Sequence, residues 1–116
     1  MPVRRSDPYK RKLYNTARRD LIKMIDEKDF YSSSKVKTYV MRRLSYELGM
    51  ESEVIVKSIY GGYYNTFDVK VVLDYNTYHG VYDPTNKEVY EHIFQTLEGL
   101  DEFLKKAIVE TELRRL

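Results

Sequence analysis

The period of the apolar residues changes from four to two within one short stretch of this chain, and that change fixes what the chain can fold into. Val36, Val40, Leu44 and Leu48 recur every four residues, with Met41 beside them. That spacing draws one apolar stripe along a helix. Ser32, Ser33 and Ser34 precede the stripe and offer a hydroxyl to the free amides of a first turn. Gly49 follows it, where a left-handed residue closes a helix. Further on, Phe67, Val69, Val71, Leu73 and Tyr75 alternate with Thr66, Asp68, Lys70, Val72 and Asp74. A period of two predicts a strand with one buried face. Val54-Ile55-Val56 is a continuous apolar run, as in a central strand, and Gly61-Gly62 permits a tight turn between the two, with Asn65 assisting. The expected fold class is therefore α+β. A small mixed or antiparallel sheet of three to four strands packs against the 33–48 helix, with a C-terminal helix added.

The flanks are read less directly. Residues 1–12 read as a basic arm with Pro2 and Pro8, ahead of a single domain over 13–116. Within residues 13–30, Leu13, Ala17, Leu21, Met24 and Ile25 fit a helical stripe, with Asn15 or Thr16 as its cap. The stretch Arg19 to Ile25 also reads as a strand, with Leu21, Lys23 and Ile25 on one face. Asp83-Pro84 is a good helix start, since proline suits the first helical position and aspartate caps it. A short hairpin through Pro84 to Lys87 is the alternative. Leu100, Phe103, Leu104, Ala107, Ile108 and Thr111 predict a helix over 100–114, with Gly99 as the break before it. Asp101–Lys105, Glu102–Lys106 and Glu110–Arg114 are favourably spaced charge pairs on that helix.

Composition narrows the function classes. A chain of 116 residues has room for one core, and 42% hydrophobic content is enough to form it. The absence of cysteine excludes disulfides, thiolate metal sites and cysteine nucleophiles. No apolar run approaches the ~20 residues that span a bilayer, and the basic N-terminal end lacks the apolar segment of a secretory signal. The expectation is a cytoplasmic protein without membrane partners.

The search for chemistry returns little. His79 and His92 sit in no HExxH or HxH arrangement, so no metal is expected. Asp68 and Asp74 share the polar face of one strand with Lys70 between them, which reads as surface charge rather than an acid–base pair. No histidine or nucleophile-elbow pattern accompanies the three serines. Gly61-Gly62 lacks the lysine and hydroxyl of a phosphate loop. A non-enzymatic protein without cofactors is expected.

Charge is more informative. Residues 1–19 carry Arg4, Arg5, Lys10, Arg11, Lys12, Arg18 and Arg19 against Asp7 alone, although the whole chain is only +2. A polyanion would meet this end first. On the 32–48 helix, Lys35, Tyr39, Arg42 and Tyr46 are spaced by four, three and four, opposite the apolar stripe. That face alternates cation and aromatic, types that neutralise phosphates and stack on bases. Tyr60-Gly61-Gly62-Tyr63-Tyr64, at the expected turn, would add a third contact element. The 12 tyrosines, with no tryptophan, suit either a binding surface or half-buried strands.

The order Arg18-Arg19-Asp20-Leu21, Ser32-Ser33-Ser34-Lys35, Val54-Ile55-Val56-Lys57, Gly61-Gly62, Thr66 and a strand ending at Tyr75 resembles a ribosomal family. It is the archaeal and eukaryotic small-subunit ribosomal protein twenty-four family, matched over about residues 15–76. The chain departs from that pattern at Ser33, where the family has proline, and at Phe67, where it has glycine. The basic tail of the eukaryotic members is also missing. The resemblance implies a strand at Arg18-Arg19 and contacts to ribosomal RNA through Arg18, Arg19, Lys35 and the Gly61-Gly62 turn. It also implies neighbouring small-subunit proteins as partners. Two other readings stay open: a dimeric DNA-binding regulator, and a protein–protein adaptor using its tyrosines and acidic C-terminal helix.

Overall fold

The four-residue stripe and the two-residue alternation form the two sides of one core. The computed structural model describes residues 7–26, 33–49, 52–59, 66–74 and 87–114. Their order is α1 (Pro8–Asp26), α2 (Ser33–Leu48), β1 (Ser52–Ile59), β2 (Thr66–Asp74), β3 (Lys87–Phe94) and α3 (Leu97–Arg114). The strands form one sheet in the order β1-β2-β3, both pairs antiparallel. The expected α+β class is therefore what forms, with an antiparallel sheet.

β2 sits in the centre because its alternation is cleanest. Phe67, Val69, Val71 and Leu73 are all buried on one face. Register places Val54 and Val56 of β1 beside Val71 and Val69, and Phe94 of β3 beside Phe67. The Phe67 and Phe94 rings stack with centroids 5.7 Å apart. α2 covers this face with Val36, Val40, Leu44 and Leu48, all buried. Burying one such leucine contributes about 1.5–3 kcal/mol. Gly49 closes α2 at φ 65°, with its N–H donating to the Ser45 carbonyl at 3.0 Å. α3 packs Leu100, Leu104 and Ile108 into the same core, touching α2 and β3.

Three sequence expectations are corrected here. The first concerns the basic arm. Residues 8–12 belong to α1, and the helix is capped by Asp7: its Oδ1 accepts from the N–H groups of Tyr9 (3.0 Å) and Lys10 (3.2 Å). The helix-start signal assigned to Asp83-Pro84 is thus used at Asp7-Pro8; Pro84 lies outside the described residues. Asn15 and Thr16 are mid-helix rather than caps.

The second correction concerns Arg19 to Ile25. This stretch is helical, so the strand that the ribosomal resemblance implies at Arg18-Arg19 does not form. Ala17, Leu21 and Met24 are buried, chiefly against α2. A strand would have placed charged Lys23 on the same face as Leu21 and Ile25, whereas the helix turns it out to solvent.

The third correction lies at β3, where the sequence suggested a helix from Asp83-Pro84 and a strand forms instead; the alternative hairpin through Pro84 to Lys87 lies mostly outside the described residues. Its inward positions are Glu88, Tyr90, His92 and Phe94, and its outward ones include Val89 and Ile93. Apolar residues fall on both faces, which erases the period-two signal. α3 begins at Leu97 rather than 100. Gly99 lies in its first turn, donating its N–H to Thr96 Oγ1 at 3.1 Å, and does not break it.

Candidate nucleic-acid interface

α1 has two opposed faces. Arg11, Lys12, Asn15, Thr16 and Arg19 are all exposed. At about 100° per residue they form one stripe, opposite Ala17, Leu21 and Met24. With Pro8 they line a shallow open groove of about 410 Å3. Among the described residues, Arg11, Lys12 and Arg19 make no ion pair. Their charge is free to meet an anion. Lys10 is half-buried and lies off this stripe.

Arg18 points elsewhere. It pairs with Asp101 Oδ2 at 3.0 Å, donates to the Tyr39 hydroxyl at 2.7 Å, and sits 5.7 Å from the centre of the Tyr39 ring. Tyr39 donates in turn to Asp101 Oδ1. Arg43 donates to the same oxygen at 3.0 Å and to Glu47 Oε2 at 3.0 Å. One carboxylate of α3 thus gathers the polar tips of α1 and α2. Burial, then the hydrogen bond to Asp101, hold the Tyr39 phenol neutral well above the usual tyrosine range. For Arg18 and Arg43 burial alone acts to lower the pKa, and their anionic and phenolic neighbours outweigh it.

The stripe predicted on α2 is therefore split. Lys35 and Arg42 are exposed as expected. Tyr39 is fully buried, which corrects its assignment as a contact residue. Tyr46 is half-buried under Tyr14, whose ring stacks on it at 5.6 Å and on Tyr39 at 5.9 Å. The face opposite the sheet is not solvent: α1 lies on it, and its tyrosines pack one helix against the other. Arg18 likewise leaves the contact set, because its charge is already balanced. Arg4, Arg5, Tyr60, Gly61, Gly62, Tyr63 and Tyr64 lie outside the described residues.

Other chemistry is sparse where the chain is described. His92 is exposed and stacks on Phe103 with centroids 5.2 Å apart. Asp68 is half-buried on the outward face of the sheet, beside Lys57 of β1, and its Oδ1 is buried without a hydrogen-bond partner. Among the described residues, no group of three or more histidine or acidic side chains is placed to hold a metal. No helix among them is long and apolar enough to cross a membrane. Sequence reasoning missed Asn15 and Thr16 as surface groups and Asp101 as a hub. The four-residue steps 11-15-19 and 12-16 carried the first signal; nothing local marked the second.

Comparison with family models, with curated proteins and with solved structures finds no match to the chain.

Proposed function

We propose that this chain is a non-enzymatic RNA-binding protein that docks through the outward face of α1. One observation carries the reading: Arg11, Lys12 and Arg19 share an exposed helical stripe with Asn15 and Thr16, and among the described residues no carboxylate pairs with them. Unpaired cations in a row neutralise successive phosphates, while amide and hydroxyl groups between them donate to phosphate or sugar oxygens. Lys35 and Arg42 of α2 are exposed cations that would supply further phosphate contacts. The proposed setting is the cytoplasm, on the small ribosomal subunit, with ribosomal RNA and adjacent ribosomal proteins as partners. Support for that setting comes from the resemblance over about residues 15–76, in the part that follows α1. α1 does not contribute to it, being helical where the resemblance implies a strand.

Co-sedimentation with small ribosomal subunits tests the setting, and a gel-shift assay on structured RNA tests the surface. The expected result is retention through a moderate-salt wash, and loss of both signals in the Arg11→Ala/Lys12→Ala/Arg19→Ala variant. RNA binding without subunit association would keep the surface and remove the ribosomal setting. A preference for duplex DNA over RNA would replace the reading with a DNA-binding one.

A further inference from the structure

β3 is an edge strand with an open groove beside it. Among the described residues it pairs with β2 on one side and with no strand on the other. An unpaired edge presents a row of main-chain N–H and C=O groups. A groove of about 510 Å3 runs between this strand and α3. On the strand side it is lined by four consecutive residues, 89–92. Their side chains alternate between the two faces of the sheet. A lining made of all four therefore follows the strand's edge and main chain rather than one of its faces.

The opposite wall comes from α3. Phe103 supplies an apolar surface, while Glu102 and Glu110 bring negative charge against the single cation Lys106. Glu91 adds a third carboxylate from the strand. Among the described residues none of these three glutamates forms an ion pair. The Tyr90 hydroxyl, on the strand wall, is buried and has no hydrogen-bond partner.

From this geometry we infer that the β3–α3 groove takes an extended, basic peptide segment of a protein partner, which adds to β3 as a fourth strand. Main-chain hydrogen bonds along the edge supply affinity. The side chains alternate, so one set lies over Phe103 and the other faces away from the groove. Lysine or arginine in the groove-facing set meets Glu102 and Glu110, which sets the charge preference, while Glu91, level with Lys70 on the other face of the sheet, meets only the set that faces away. The carboxylates repel phosphate, so this site and the cationic face of α1 select different classes of partner. The inference does not depend on the RNA-binding reading.

The test uses the full chain and a synthetic peptide of alternating lysine and valine. Binding is read by fluorescence anisotropy, and the contact by amide hydrogen exchange. The expected result is binding with slowed exchange in β3, and no binding of the glutamate–valine counterpart. N-methylation of alternate peptide amides, which removes their N–H donors, is expected to weaken binding about tenfold or more. Glu102→Lys/Glu110→Lys is expected to weaken it by a similar factor, about tenfold, while the far-ultraviolet circular dichroism stays unchanged. The inference is overturned if the methylated peptide binds equally well or if protection appears away from β3. It is also overturned if the edge is already taken by a second copy, seen as a dimeric mass with β3 protected before peptide is added.

Discussion

The Tyr39 hydroxyl donates to the Asp101 carboxylate, tying the middle of α2 to the first turns of α3 across 62 residues of chain. Arg18 and Arg43 close on the same pair, so three helices meet at one carboxylate. The core beneath is apolar and non-directional. This cluster adds directional contacts that join the three helices above it.

Removing the carboxylate should therefore cost more than a surface charge does. Asp101→Ala leaves Arg43, whose side chain is only 13% exposed, without that partner. A fully buried pair broken on one side costs about 3–5 kcal/mol. Asp101 is 26% and Arg18 35% exposed, so solvent screening reduces the expected loss to about 2 kcal/mol. Urea unfolding measures it. In a double-mutant cycle Asp101→Ala and Arg18→Ala should be less than additive.

Alkaline pH should weaken the same junction. The Tyr39 phenol has a raised pKa in the folded chain, so the folded state holds its proton more tightly than the unfolded one. Its contribution is complete below the unfolded value of about 10 and is lost as pH rises from there toward the folded value. The expected slope is up to about 1.4 kcal/mol per pH unit from this group. Tyr39→Phe removes that part of the slope at a cost of about 1–2 kcal/mol near neutrality. Thermal melts of both chains across the alkaline range give the comparison.

At the end of α2 the backbone itself sets the cost. Gly49 holds φ 65°, a region that penalises any Cβ. Gly49→Ala should destabilise the fold by about 1 kcal/mol. Gly49→Asn should recover part of that loss, since asparagine tolerates the left-handed region.

Much of this architecture could be read from residue spacing. The 67–73 alternation and the 36–48 stripe each define a single buried face, so period alone placed them, and Gly49 marked the helix end. Tyr39 was misread because a helical wheel assigns solvent to whatever lies opposite the main stripe. α2 has neighbours on more than one side: the sheet takes one face, while α1 and α3 enclose the phenol ring. α1 was ambiguous because its apolar residues satisfy both periods over Arg19 to Ile25. β3 was obscured because an edge strand with thin cover distributes its apolar residues over both faces. The local reading of Asp101 pointed to Lys105, but its partners Arg18 and Arg43 come from other helices, and Arg114 likewise pairs with Glu88 of β3 rather than with Glu110.

The salt dependence of RNA binding tests the cationic face of α1 most directly. Each phosphate neutralised adds about 0.7–0.9 to the slope of log K against log salt. The Arg11→Ala/Lys12→Ala/Arg19→Ala variant should retain its melting midpoint, because these side chains are exposed and make no ion pair among the described residues. Its slope should be shallower than that of the parent chain by about 2–3, with affinity falling at every salt concentration. Equal slopes for the two proteins, with equal affinity at low salt, would contradict the account.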